Sequence, residues 1–168
     1  MKKETKVVLA MYCCGKTTMA KSDSEYSILD FDSYLLDDVK NRDDLDEKTN
    51  KRIEKYNSLP VDSAYLQKIE NCIGEYDIIL LSTKDRIISY LRKKNIPYIL
   101  VYPEDTKECM QEWCRRNKER GTEWLWKDNC LFWHTMLHVF SEDKKASKHI
   151  VLKPNEYLSD KLSDIVSK

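Results

Sequence analysis

The first residues whose types and spacing suggest a reaction lie near the start of the chain. Residues 10–17 read Ala-Met-Tyr-Cys-Cys-Gly-Lys-Thr. They meet three of the four fixed positions of the phosphate-loop pattern G-x-x-x-x-G-K-S/T, with Ala10 where the first glycine would stand. In such a loop, backbone N–H groups converge on phosphate oxygens, the lysine reaches the β- and γ-phosphates, and the hydroxyl group ligates Mg²⁺. We therefore predict an ATP and Mg²⁺ site made of Cys13, Cys14, Gly15, Lys16, Thr17 and Thr18, with Lys16 catalytic and Thr17 on the metal.

An acidic turn follows the second strand-like segment. Residues 27–33 read Ser-Ile-Leu-Asp-Phe-Asp-Ser, and ligands of open parallel sheets bind outside the carboxyl ends of strands. If the chain is extended here, Asp30 and Asp32 point to the same side, because side chains alternate along a strand. We predict that Asp32 is catalytic. It would either accept a proton from an attacking hydroxyl group or hold Mg²⁺ together with Thr17. The alternative is that Asp32 only caps the next helix.

A cationic segment forms a possible lid around residues 113–124. Arg116 and Arg120 are four residues apart and would share one face of a helix. Two guanidinium groups there could clamp phosphates and stabilise charge on a transferring phosphoryl group. We therefore include both arginines among the predicted catalytic residues. The alternative is that they only complement the dipole at a helix C-terminus.

The elements that must position these groups alternate along the chain. Short apolar runs predict strands over residues 5–10, 27–31, 76–82, 97–102 and 149–152. Amphipathic patterns predict helices over residues 16–21, 61–73, 85–94, 106–120, 123–140 and 156–166. The charge-dense residues 32–58 are predicted to be helical, with a loop around 41–46. This alternation predicts an α/β fold: a three-layer sandwich of about five parallel strands with helices on both faces.

Composition limits the classes of protein that remain. The 168 residues carry 29 basic and 29 acidic side chains, so the formal net charge is zero and long nucleic acid is not a favoured partner. No apolar run reaches the length of a membrane span, and the six cysteines include no Cys-x-x-Cys pair. We expect a single domain over residues 1–168 with reduced thiols, located in the cytoplasm. The oligomeric state is not indicated.

The phosphate loop, the Leu-Asp-Phe-Asp-Ser turn and the arginine-rich segment together resemble the small P-loop kinases. This group includes nucleoside and nucleotide kinases, polynucleotide 5′-kinases and zeta-toxin-like kinases. The resemblance implies an ATP site at Gly15, Lys16 and Thr17, a substrate-activating carboxylate at Asp32 and lid arginines at Arg116 and Arg120. The chain departs from the group where Leu35 and Leu36 replace a frequent arginine, and where Ser82-Thr83-Lys84 replaces an acidic strand end.

These observations predict an ATP- and Mg²⁺-dependent phosphotransferase that acts on a nucleoside, a nucleotide or a similar small acceptor. Two other functions remain open at this point. A polynucleotide 5′-end kinase would need a basic groove leading to Asp32. A non-catalytic nucleotide-binding module would be consistent with Ala10 and with the missing acid after the third strand.

Overall fold

The computed structural model of the protein describes residues 4–40, 45–56 and 59–167. Its centre is a five-stranded parallel sheet with strand order β2-β3-β1-β4-β5. The strands are β1 (Lys6–Ala10), β2 (Ile28–Asp30), β3 (Ile78–Ser82), β4 (Ile99–Pro103) and β5 (Lys148–Leu152). Helices flank the sheet in a three-layer arrangement, which confirms the predicted α/β fold with five parallel strands.

The central strands form because they are apolar on both sides. The strands β1, β3 and β4 are almost completely buried along their length, as expected for parallel strands that helices cover on both faces. The register pairs Ala10 of β1 with Ser82 of β3 and with Val101 of β4. The carboxyl end of β1 therefore lies in the middle of the sheet, between the ends of β3 and β4.

The helices agree with the predicted pattern over most of the chain. They are α1 (Lys16–Ala20), α2 (Phe31–Lys40), α3 (Glu47–Tyr56), α4 (Ser63–Cys72), α5 (Asp85–Lys93), α6 (Lys107–Glu119), α7 (Glu123–Cys130), α8 (Trp133–Ser141) and α9 (Leu162–Val166). Of the loop predicted around 41–46, residues 41–44 lie outside the described residues. No helix in the described ranges is long and apolar enough to span a membrane.

Two predicted helices are wrong in detail. Residues 123–140 form two helices instead of one, because the chain breaks at Leu131 and Phe132 between α7 and α8. Residues 156–166 form a 3₁₀ helix, Leu158–Lys161, followed by the short α9. Its start is fixed by the Asp160 carboxylate, which accepts a hydrogen bond from the backbone N–H of Tyr157 at 2.7 Å.

The sheet order brings three chain segments together at one edge. The loop after β1 and the chain after β3 are neighbours, and β2 pairs with the other side of β3. The segments that follow Ala10, Ser82 and Asp30 therefore lie side by side at the carboxyl ends of the strands, where open α/β sheets bind their ligands.

Candidate functional site

Residues far along the chain hold the loop between β1 and α1 by donating hydrogen bonds to its carbonyl groups. Three successive carbonyl oxygens accept hydrogen bonds from distant donors: Tyr12 from Trp113 Nε1 at 3.0 Å, Cys13 from Arg116 Nη1 at 3.2 Å, and Cys14 from the N–H of Leu158 at 2.8 Å. In a planar trans peptide the N–H group points away from the C=O group. The N–H groups that follow these carbonyls therefore point to the inside of the loop, as in a backbone nest that binds an anion.

Lys16 lies across the start of the same loop. Its Nζ atom donates to the carbonyl oxygens of Ala10 at 2.9 Å and Met11 at 3.3 Å. Two neutral acceptors thus hold the ammonium group at the start of the loop. An arriving phosphate can replace these acceptors without breaking an ion pair.

The alanine in place of the first glycine is accommodated by the backbone. Ala10 is the last residue of β1 and is fully buried, as expected from its place at a strand end. The positive φ angles of the loop lie instead at Cys13 (60°) and Gly15 (92°). Ala10 therefore needs none of the conformational freedom that glycine would provide.

Gly15 is the position where a glycine is required. Besides its positive φ angle, a Cβ atom here would lie 3.2 Å from Cδ1 of Tyr157. The Tyr157 ring covers this side of the loop and also lies against the Arg116 guanidinium, 3.9 Å from its carbon. The chain after β5 thus forms part of the wall of the loop between β1 and α1.

Thr17 is in direct contact with Asp30. Its hydroxyl group donates to Oδ2 of Asp30 at 2.6 Å, and the Ser33 hydroxyl group donates to the same atom at 2.9 Å. Asp30 is 7% exposed. We predicted that Thr17 would share a metal with Asp32, but the carboxylate that the fold brings to Thr17 is Asp30. Thr18 follows on α1 with its side chain exposed.

Asp32 belongs to a different group of residues. Its Oδ1 atom accepts a hydrogen bond from the Tyr65 hydroxyl group at 2.7 Å and lies 3.9 Å from Nζ of Lys84. The premise that Asp30 and Asp32 share one side of an extended chain is wrong, because α2 begins at Phe31. The helical turn between them directs the two carboxylates to separate partners. Asp32 occupies the first turn of α2, where the helix dipole also favours a negative charge.

The Asp32 group contains a buried ammonium. Burial lowers the pKa of Lys84, and repulsion from Arg52 and Lys16 lowers it further, while Asp32 opposes these effects. The Tyr65 pKa is raised, first by burial and then by the Asp32 charge. The Ser82 hydroxyl oxygen is also buried, and it lies close enough to the Tyr65 hydroxyl group to lower the Tyr65 pKa, although it forms no hydrogen bond of regular geometry within the described ranges.

Arg116 is not an exposed lid residue. It is 6% exposed, and its guanidinium carbon lies 4.3 Å from the Trp113 ring centroid on α6. Besides the Cys13 carbonyl, its hydrogen-bond acceptors are Glu112 Oε1 at 2.8 Å, the Pro154 oxygen at 2.7 Å and the Glu156 oxygen at 3.1 Å. The expectation that Arg116 clamps phosphates is therefore corrected, because its donors are used to join α6 to the loop and to the chain after β5.

Arg120 differs from Arg116 although both approach Cys13. It is exposed at the end of α6. Burial raises the Cys13 pKa, and Arg120 opposes this through its charge and a hydrogen bond. Burial also raises the pKa of Cys14 to about 12. Both cysteines are therefore thiols at neutral pH, and Arg120 remains the arginine with an accessible guanidinium beside the loop.

Three residues of the site were missed by sequence reasoning: Tyr65, Lys84 and Tyr157. Lys84 comes two residues after β3, so the rule that ligands bind at carboxyl ends of strands could have found it. Tyr65 lies on α4, 33 positions from Asp32, and no local pattern indicates that contact. Among the described residues, no group of three or more His, Cys, Asp or Glu side chains could hold a metal ion without other ligands.

Comparison with known proteins adds no relative. The chain matches no family model, no curated protein and no solved structure.

Proposed function

We propose that this protein is an ATP- and Mg²⁺-dependent phosphotransferase that acts on a small acceptor. The observation that carries the proposal is the loop at residues 12–16. Its carbonyls accept hydrogen bonds from α6 and from the chain after β5, and Lys16 bonds to the carbonyl oxygen at its start. Because N–H and C=O point in opposite directions in a trans peptide, we infer that the N–H groups face the inside of the loop. Backbone N–H groups together with a lysine are the usual protein contacts of nucleotide phosphates.

The contact between Thr17 and Asp30 fits a magnesium site beside this loop. Mg²⁺ prefers oxygen ligands and usually takes one or two from the protein, with phosphates and waters completing the shell. Thr17 Oγ1 and Asp30 Oδ2 are 2.6 Å apart, so one ion could be reached by both, directly or through a water. When bound, Mg²⁺ would neutralise charge on the β- and γ-phosphate oxygens. Ser33 would keep the Asp30 carboxylate oriented.

The acceptor would bind on the Asp32 side of the loop. Asp32, Tyr65 and Lys84 lie after β2 and β3, next to the strand that carries the phosphate loop. In this arrangement Arg120 is the cation available to stabilise charge on the transferring phosphoryl group. Arg116 is a positioning residue, because it acts through the Cys13 carbonyl. ATP and reduced thiols are both cytoplasmic, and the cytoplasm is the compartment that we propose.

A non-catalytic nucleotide-binding module is the second candidate function. It is favoured by one observation: β3 ends in Ser82 and Lys84 follows, so no carboxylate stands at the end of this strand. Thr17 and Asp30 would then hold a nucleotide without turnover.

Two measurements test the proposal in sequence. The first is thermal unfolding with ATP, ADP or GTP, each with Mg²⁺ or with EDTA. A nucleotide at 100 times its dissociation constant should stabilise the fold by about 2.7 kcal/mol. The second is transfer from γ-labelled ATP to nucleosides, nucleoside monophosphates, sugar phosphates and a 5′-hydroxyl oligonucleotide. Binding without transfer to any acceptor would favour the regulatory module, and the absence of binding would refute both.

A further inference from the structure

The strongest unexplained feature of the molecule is the Lys84 ammonium. Its Nζ atom is buried and has no hydrogen-bond partner among the residues that the structure describes. The Asp32 oxygen at 3.9 Å is too far for a hydrogen bond, and the Tyr65 ring centroid is 5.9 Å away. An ammonium group has three donors, so this one is left without the contacts that normally accompany burial.

The surroundings of Lys84 make its positive charge still less favourable. It precedes the first residue of α5, where the helix dipole opposes a cation. Lys16 and Arg52 add repulsion, since both lower its pKa. Asp32 is the carboxylate that offsets these effects, and it already accepts a hydrogen bond from Tyr65. Three cations thus influence one small region beside the phosphate loop, which is the pattern expected where an anion binds.

We infer that Lys84, with the hydroxyl group of Ser82, binds the phosphate of a phosphomonoester acceptor. The inference rests on the proposed function and narrows its substrate class from any small acceptor to one that already carries a phosphate. With a neutral hydroxyl acceptor, Asp32 at 3.9 Å would be the counter-charge of the ammonium, and the acceptor would supply no anionic oxygen to its N–H donors. A phosphate supplies further negative charge and the acceptor oxygens that the three N–H donors of Lys84 lack. Asp32 would repel the phosphate. The hydrogen bond that Asp32 accepts from Tyr65, however, holds its carboxylate in place beside Lys84.

Phosphoryl transfer from ATP to such an acceptor needs no general base. An oxygen of the acceptor phosphate attacks the γ-phosphorus of ATP, and the bond from that phosphorus to the oxygen of the β-phosphate breaks. The products are ADP and an acceptor with a new phosphoanhydride bond. A phosphomonoester is largely a dianion at neutral pH, since its second pKa is about 6, so no proton has to be removed. Asp32 is then a positioning residue for Lys84 and Tyr65.

Equilibrium binding without turnover tests the inference separately from catalysis. Calorimetric titrations would compare nucleoside 5′-monophosphates with their nucleosides, and ribose 5-phosphate and inorganic phosphate would be titrated in parallel. We expect at least one phosphomonoester to bind about 10- to 100-fold more tightly than its dephosphorylated form, the factor of one charge-assisted hydrogen bond. The preferred probe identifies the source of the phosphate, a nucleotide or a sugar phosphate. Equal binding of a monophosphate and its nucleoside, or binding of neither, would overturn the inference.

Variants at position 84 complete the test. Lys84→Met should remove this preference while ATP affinity stays within about two-fold, and Lys84→Arg should restore part of it. Lys93→Met, which removes an exposed lysine at the other end of the same helix, is the matched control and should change neither. If Lys84 only balances Asp32, Lys84→Met will shift the unfolding temperature and leave the monophosphate preference intact, which would refute the inference. Failure of the wild type to bind ATP would instead refute the proposed function, whatever the phosphomonoesters do.

Discussion

Arg116 Nη1 donates to the carbonyl oxygen of Cys13 at 3.2 Å, which joins α6 to the loop between β1 and α1. The guanidinium group is packed between the rings of Trp113 and Tyr157, and Glu112 is its counter-ion at 2.8 Å. A planar cation with five donors can bind three carbonyls and a carboxylate at once, which is more than the three donors of a lysine can serve. This one side chain therefore fixes both the loop and the chain after β5.

The first prediction separates Arg116 from Arg120. Arg116→Met should lower the free energy of unfolding by about 2–3 kcal/mol, because three carbonyl groups lose a charged donor, while Glu112 keeps Arg115 as a partner. Arg120→Met should stay within about 0.5 kcal/mol of the wild type, since Arg120 is exposed. In a transfer assay Arg120→Met should slow the reaction more than it weakens ATP binding. Urea unfolding measures the first effect, and equal stability of the two variants would contradict the assigned roles.

The second prediction concerns Lys16. Its hydrogen bonds go to carbonyl oxygens of its own loop, so Lys16→Ala should fold normally and lose most of its ATP affinity. Lys21→Ala, which removes an exposed lysine at the end of the same helix, should bind ATP as the wild type does. Fluorescence titration with a labelled ATP analogue compares them. Unchanged affinity in Lys16→Ala would mean that the loop is not a nucleotide site.

The third prediction distinguishes a base from a positioning residue at Asp32. Loss of a general base reduces a rate by about 10²- to 10⁴-fold. Since Asp32 accepts a hydrogen bond from Tyr65 and approaches Lys84, Asp32→Asn should reduce kcat by less than about 10²-fold. Its larger effect should fall on the KM of the acceptor. A loss confined to kcat, with a changed pH profile and an unchanged acceptor KM, would restore the base mechanism.

The fourth prediction tests the tight contact at Gly15. Gly15→Ala combines an unfavourable φ of 92° with a Cβ atom only 3.2 Å from Tyr157. Gly121 is the matched control, because its φ is 73° but no atom lies within 4 Å of the added Cβ. Gly121→Ala should cost about 1–2 kcal/mol from backbone strain alone, and Gly15→Ala should cost more. Chemical unfolding of both variants gives the difference, and equal losses would show that the Tyr157 ring moves aside freely.

The fifth prediction concerns acid stability. The arginines at positions 115 and 116 lower the pKa of Glu112 to about 2, so the folded state favours the charged carboxylate. Its contribution to stability is therefore fully present above the usual glutamate pKa of about 4.3 and is lost as the pH falls towards 2. Glu112→Gln should lower stability at neutral pH and flatten its decline below pH 4.5. Urea unfolding at several pH values measures both effects, and a parallel decline in the two proteins would exclude this group as the cause.

The fold was predictable because its signals are local. The apolar runs of β1, β3 and β4 and the change to helical spacing after each are visible in the sequence, as is the strand end at Ala10. The break between α7 and α8 was missed, since Leu131 and Phe132 continue the apolar pattern but are exposed. Periodicity cannot distinguish an apolar residue inside a helix from one at an exposed turn.

The site was predictable only in part because its contacts are long-range. The spacing of Gly15, Lys16 and Thr17 located the loop, but it could not show which carboxylate Thr17 meets. That depends on where α2 begins, and a start at Phe31 separates Asp30 from Asp32. The sequence also could not show that Arg116 is buried, because the residues around an arginine in the sequence do not reveal whether carbonyl groups and rings surround it in the fold.

The carbonyl contacts of the loop also determine when it forms. Trp113 reaches it across 101 positions of the chain and Arg116 across 103, and Leu158 bonds to Cys14 from still further along the sequence. Contacts of such long sequence separation form slowly, because loop-closure entropy opposes them. On the ribosome, β1 and α1 would emerge long before the residues that shape the segment between them. Any capacity to hold a nucleotide is thus gained at the end of folding, and an incomplete nascent chain would not withdraw ATP from its surroundings.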